Sequence, residues 1–166
     1  MVDNNVGIVV QIIKNSEIIS VVGNAKSIFD KEDGHIIDQG TIIRLNSGEI
    51  RNTKSQGSYT TALIYSTSGV EKLNWGPVAP IRLRSKFMPT KSLKFHGSTG
   101  YKYSTGYCLL QWIHKIGKEK VNIFGFDWKE TNTFYNNAGS DSDKHDYTYE
   151  KEVIIELCEK NKWIIH

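Results

Sequence analysis

This sequence predicts an α/β fold on a mainly parallel sheet, and three observations carry that expectation. Short β-branched runs alternate with segments of helical spacing along the chain. One apolar run, ending at Val22, stops abruptly in small polar residues, as strands do at the sheet edge where ligands collect. A clear amphipathic segment opens at Ser104, stops at Gly117 and is followed by another apolar run.

Taken in order, Val6 to Ile13 (VGIVVQII) and Glu17 to Val22 (EIISVV) read as two strands split by a turn at Lys14-Asn15-Ser16. The second run gives way to Gly23-Asn24-Ala25-Lys26-Ser27. Thr41 to Leu45 and Thr60 to Tyr65 are further short strands. Residues 66 to 99 hold all three prolines, with short strands expected near Ala79 to Leu83 and Ser92 to Phe95. Tyr107, Leu110, Ile113 and Ile116 recur at helical spacing, and Val121 to Gly125 is a buried strand. Residues 127 to 144 are polar and read as a long loop. Asp146 or Thr148 can cap a last helix with Val153, Ile154, Leu157 and Cys158 on its apolar face, and Trp163 to Ile165 closes as a strand. With 166 residues and no visible linker or repeat, one domain over residues 1–166 is expected.

Composition narrows the function. The apolar and charged content is ordinary for a globular chain, which excludes global disorder. No apolar run approaches the roughly 18 residues of a membrane span. Met1 to Asn5 has no basic stretch leading into an apolar one, so a cytosolic location is expected. A net charge of +3 is too small to demand a polyanion partner. The densest basic stripe is Arg82-Leu83-Arg84-Ser85-Lys86, with Lys91 and Lys94 nearby; Arg82, Arg84 and Lys86 are weak candidates for touching an acidic acceptor. Cys108 and Cys158 form no ligand spacing and read as buried core thiols.

Three segments could carry chemistry. Ser104-Thr105-Gly106 opens a helix, where unpaired N–H groups, hydroxyls and a glycine suit an anion such as phosphate; an ordinary N-cap is the plainer alternative. Ser98-Thr99-Gly100 repeats the triplet without a following helical pattern. His145 precedes the last helix, five residues ahead of Glu150, at a partly exposed junction that suits a general base. A lone histidine is more often surface than catalytic, and His35, His96, His114 and His166 show how easily one is picked out; His114 reads as helix surface and His166 is the terminus. Asp141-Ser142-Asp143 has the letters of an Asp-x-Asp cation site, but it follows a polar run where that motif normally ends an apolar strand, so a solvated loop is the expectation.

In order along the chain, these segments resemble the sialyltransferases of glycosyltransferase family 29. Val21 to Ile28 (VVGNAKSI), Gly34 to Asp38 (GHIID) and Ile43 to Asn46 (IRLN) are similar to the large sialylmotif. Tyr103 to Leu109 (YSTGYCL) with Val121 to Phe126 (VNIFGF) looks like the small one. Phe134-Tyr135 falls where the short aromatic motif lies, and His145 to Lys151 (HDYTYEK) resembles the final His-x4-Glu motif. The resemblance covers roughly residues 18 to 157 and implies a Rossmann-like sheet flanked by helices, a variant of the GT-A type.

It also implies roles. Asn24, Arg44, Asn46, Ser104, Thr105, Gly106, Phe124, Gly125 and Tyr135 would bind a nucleotide-sugar donor, by default a CMP-linked sialic acid. His145 would activate an acceptor hydroxyl for inverting attack, and Glu150 would be structural or orient the site. Neither metal nor other cofactor is implied. Where the family pairs two cysteines, this chain has Ile19 and Lys118 or Glu119, which fits a reducing compartment. No counterpart of the family's anchor and stem is expected here, and the stretch between the large and small motifs is short. A His often stands in the short aromatic motif to meet the donor phosphate, and Phe134 cannot replace it. The acceptor would be a glycan or another hydroxyl compound, in the cytoplasm of a bacterium or a virus-infected cell. Two alternatives keep the fold: a DNA-modifying glycosyltransferase acting on a modified base, suggested by the basic stripe, and a nucleotide-binding remnant without turnover.

Overall fold

All but the first of the β-branched runs become short parallel strands, and the segments between them cross over as helices. A computed structural model describes residues 4–65, 80–82, 103–135 and 145–166. The strands are β1 (Ile19–Val22), β2 (Thr41–Leu45), β3 (Ala62–Tyr65), β4 (Pro80–Arg82), β5 (Val121–Phe124) and β6 (Ile164–Ile165). The helices are α1 (Asn4–Asn15), α2 (Gly34–Ile37), α3 (Thr53–Gln56), α4 (Thr105–Ile116) and α5 (Tyr147–Asn161), with a 3-10 helix at Lys26–Asp30.

The six strands form one sheet in the order β4-β3-β2-β1-β5-β6, and every pairing between them is parallel. β2, β3 and β4 build outward from one side of β1, and β5 and β6 from the other. The order therefore reverses between β1 and β5, and a crevice opens there beyond the strand ends. Pro80 sits in β4, at the sheet edge, where its missing N–H is tolerated.

A parallel sheet must be covered on both faces. On one face Val21, Ile43, Leu45 and Ile123 pack with Val9 and Ile13 of α1, Leu110 of α4 and Ile154 of α5. On the other, Val22, Ile42 and Phe124 pack with Ile28, Ile37 and Phe134. Neighbours such as Val21 and Val22 go to opposite faces, as the two-residue period of a strand requires.

The strand expected at Val6 to Ile13 is instead part of α1. Its β-branched composition favours a strand locally, but a short apolar run is compatible with a buried helix, and tertiary cover decides. Val9 and Ile13, four residues apart, are fully buried, while Ile8 stays exposed. Ser16 closes the helix by donating its hydroxyl to the Ile12 carbonyl at 2.5 Å.

The expected helix stop at Gly117 is a left-handed residue (φ 83°) whose N–H returns to the His114 carbonyl. Asp146 is the cap of α5, its Oδ1 accepting from the Tyr149 N–H at 3.0 Å. Cys108 and Cys158 are buried core thiols outside any disulfide. The strand expected at Ser92 to Phe95, the second Ser-Thr-Gly triplet, the Asp141-Asp143 pair, Arg84 and Lys86 all lie outside the described residues. No helix among the described residues is long and apolar enough to cross a membrane.

Candidate active site

A cavity of about 230 Å³ lies at the β1–β5 crevice, walled by the exits of β1, β2 and β5 and by the starts of α4 and α5. Asn24, Asn46, Ser104, Thr105, Gly106, Gly125, Tyr135, His145 and Glu150 all line it. Residues spread over 127 positions of sequence meet there because all but Tyr135 stand where a strand ends or a helix begins.

The β1 exit is tied to its neighbours by backbone bonds. The Gly23 N–H reaches the Phe124 carbonyl at 2.8 Å and the Ala25 N–H the Gly125 carbonyl at 3.2 Å. Asn24 is buried and donates Nδ2 to the Leu45 carbonyl at 2.8 Å, clamping the β1 exit to the end of β2. Asn46 takes a left-handed conformation (φ 52°) that Asn tolerates better than most residues. Its Oδ1 is buried with no hydrogen-bond partner among the described residues. An acceptor left in that state costs about 1–3 kcal/mol, which a ligand hydroxyl or amino group would recover.

The start of α4 is held from a distance. Glu150, only 2% exposed, accepts from the Ser104 N–H through Oε1 and from the Ser104 hydroxyl through Oε2, both at 2.6 Å. The same Ser104 Oγ accepts from the Tyr107 N–H at 3.2 Å, the usual N-cap bond. The Ser104 hydroxyl proton is thus committed to Glu150, and Thr105 with the Gly106 N–H is what the helix start offers the cavity. Burial pushes Glu150 up to about 7, while the two Ser104 donors pull the other way. His145 stands one residue before the Asp146 cap, with the Tyr147 ring edge-on at 5.4 Å.

Gly106 serves packing. A Cβ there would lie 2.6 Å from Phe126 Cε1, and one on Gly23 would lie 2.9 Å from Phe126 Cδ2. The Phe126 ring is therefore wedged between the two glycine turns that frame the cavity. We expect Gly106→Ala to cost about 1–3 kcal/mol, because a ring gripped on both sides cannot yield freely. Thermal unfolding checks this, and Gly106→Ala combined with Phe126→Leu should regain part of the loss.

Two expected donor residues stand elsewhere. Arg44, 1% exposed, donates to the Gln56 and Tyr59 carbonyls at 2.6 and 2.9 Å and to the Thr60 hydroxyl at 2.8 Å. It braces the loop between β2 and β3, and burial lowers its pKa to about 10. Phe124 stacks on His166 with ring centroids 4.3 Å apart, on the sheet face opposite α4. The two-residue period explains both: Leu45 and Ile123 face α4, so Arg44 and Phe124 face away. Of Arg82 only the backbone, in β4, is described.

The cavity also holds residues that sequence reasoning left inside an undifferentiated loop: Asp127, Trp128, Lys129, Thr131 and Thr133. Their position directly after a predicted strand was the available signal. The Asp127 carboxylate organises this turn, accepting from the Lys129 N–H at 3.1 Å, the Thr131 N–H at 3.0 Å, the Ser27 hydroxyl at 3.1 Å and the Thr131 hydroxyl. Among the described residues, no three His, Cys, Asp or Glu side chains gather as a metal-binding group.

No protein-family model and no curated protein matches this chain. By structure it is similar to a mammalian sialyltransferase in complex with Gal-beta-1-3GalNAc-ortho-nitrophenol, with a TM-score of 0.62 and 18% identity over 89% of this chain and 68% of that one. It is similar also to the sialyltransferase CstII from Campylobacter jejuni in complex with the substrate analogue CMP-3FNeuAc, at TM-score 0.62 and 10% identity over 90% and 80% of the two chains. The fold is the sialyltransferase fold.

At the two positions where the resemblance places a family disulfide, this chain makes other contacts. Ile19 is buried in β1, and the Lys118 ammonium donates to the Lys14 and Ser16 carbonyls, each at 2.7 Å. Those bonds join the turn before β1 to the turn before β5, the two segments a disulfide at these positions would link. In the short aromatic segment Phe134 is core, packed edge-on to Phe29 at 5.4 Å. Thr133 and Tyr135, on either side of it, line the cavity.

Proposed function

We propose that this chain is an inverting glycosyltransferase that moves sialic acid from a CMP-linked donor to an acceptor hydroxyl, without a metal. The observation that carries this reading is the convergence of Asn24, Asn46, the start of α4 and His145 on one cavity in a sialyltransferase fold. Asn46 Oδ1 takes a hydroxyl or amino group of the nucleoside, and Thr105 with the Gly106 N–H meets the phosphate. The acceptor oxygen attacks the anomeric carbon as the bond from that carbon to the phosphate oxygen breaks. CMP leaves with the electron pair, and His145 takes the acceptor proton. Charge developing on the phosphate is met by the positive end of α4 and its N–H donors. Glu150 acts through Ser104, as a positioning residue that fixes the helix start. The DNA-modifying alternative rests on a basic stripe whose side chains lie outside the described residues, and no described feature favours it.

A thermal-shift series with CMP, CDP, UDP and GDP, each with and without a divalent cation, tests the donor class. CMP at about a hundred times its Kd should raise the midpoint by about 5–10 °C. That shift should exceed those of the other nucleotides and be indifferent to metal. An equal response to all four, or one that requires the cation, overturns the proposal.

A further inference from the structure

Glu150 and a bound phosphate would meet at one helix start and compete there for one hydrogen. The carboxylate is 2% exposed, lines the cavity and is engaged by Ser104 through both oxygens, Oε1 by the N–H and Oε2 by the hydroxyl. Burial pushes it up to about 7, the Asp146 carboxylate adds to that, and among the described residues only Ser104 pulls the other way. On the α4 side its neighbours are Tyr103 and Tyr107, both raised by burial and so neutral throughout the range in which Glu150 changes charge. On α5, Asp146 is the cap and Tyr149 stacks on Tyr103 at 6.2 Å. His145, Asp127 and Lys129 belong to the same cavity wall.

The two protonation states order the hydrogen bonds differently. Ionised, Glu150 holds the Ser104 hydroxyl hydrogen, and that hydroxyl has no hydrogen left for a ligand. Protonated on Oε2, it donates to Ser104 Oγ across the same 2.6 Å contact. Ser104 Oγ then accepts twice, from Glu150 and from the Tyr107 N–H at 3.2 Å, and its own hydrogen is released. Ser104 lines the cavity, so the released hydrogen is available to an anion there.

We propose that donor binding is proton-linked: the donor phosphate selects the chain with Glu150 neutral, gains the Ser104 hydroxyl as a further hydrogen-bond donor, and draws a proton from solvent onto Glu150. This rests on the CMP-sugar reading. Two effects act in the same direction. The phosphate charge disfavours an ionised carboxylate beside it, and the freed hydroxyl exists only when the carboxyl is neutral. Departure of CMP lets the proton return to solvent.

Calorimetric titration of CMP-3FNeuAc, without acceptor or metal, tests this on wild type and Glu150→Gln. The probe's phosphodiester keeps its charge from pH 6 to 9, whereas a phosphomonoester such as CMP titrates at about 6. Gln reproduces the neutral arrangement, with Oε1 accepting from the Ser104 N–H and the amide donating to Oγ. Wild-type affinity should fall about tenfold between pH 6.5 and 8.5, as when a nearby anion makes a carboxyl harder to ionise, and Glu150→Gln should show no such fall. At pH 7.5, in buffers of different ionisation enthalpy, wild type should take up about half a proton more per probe bound than Glu150→Gln. His145→Ala, which keeps Glu150, should take up as much as wild type. Matching pH profiles in wild type and Glu150→Gln, or an uptake that disappears with His145, overturns the proposal and leaves the CMP-sugar reading standing. Wild type that binds no probe at any of these pH values ends the CMP-sugar reading, and the proton linkage with it.

Discussion

The His145→Ala chain is expected to transfer sugar about 10²–10⁴-fold more slowly than wild type, the usual contribution of a positioned general base. CMP affinity should be retained, because the proposed nucleoside and phosphate contacts are those of Asn46 and the start of α4, not of His145. His145 lines the cavity just outside the α5 cap, with Tyr147 edge-on against its ring at 5.4 Å. On the proposed mechanism, removing the imidazole takes away the proton acceptor and leaves the leaving-group contacts in place, so the loss should fall on kcat. Initial rates with a CMP-sugar donor, beside CMP titrations of the same preparations, check it. A His145→Ala chain that turns over at the wild-type rate would remove His145 from the mechanism.

Glu150→Ala should destabilise the chain by about 2–4 kcal/mol, since it leaves the Ser104 donors facing a cavity where a buried acceptor had been. Nucleotide binding should weaken with it, because those bonds fix the first turn of α4. Glu150→Gln keeps an acceptor for the Ser104 N–H and separates shape from charge. Its signature is the pH dependence. Burial raises Glu150 from its ordinary 4.5 to about 7, so the folded chain holds this proton more tightly than the unfolded one. The stability it contributes is fully present below the unfolded value of 4.5 and is lost as pH rises through about 7. Between pH 5 and 8 wild type should lose about 2–3 kcal/mol relative to Glu150→Gln, read from urea denaturation at each pH. A difference that stays constant across that range would show that Glu150 does not titrate there.

Much of the architecture was legible because its signals are local. Gly117 ends α4 where a left-handed residue is needed, and Asp146 caps α5 with its own side chain. Asn24 and Asn46 stand at strand exits, Ser104 to Gly106 and His145 at helix starts, and those are the places where a parallel sheet gathers ligands. Arg44 and Phe124 share the same motifs and strand ends, yet face away by one residue of parity. A motif letter locates a residue along a strand, and only the packed faces decide where its side chain goes.

By itself the sequence determined the alternation of element types, most of their ends and the segments that meet at the cavity. Tertiary structure alone decided that VGIVVQII is helical, that the sheet order reverses beside β1, and that the Ser104 hydroxyl goes to a carboxylate 46 residues away. It also decided that a glycine of the phosphate-type triplet makes room for the Phe126 ring. The division has one physical reason. Propensity, capping and turn chemistry act over a few residues and are written in adjacent letters. Burial, cross-chain hydrogen bonds and side-chain parity depend on partners that only the folded chain brings together.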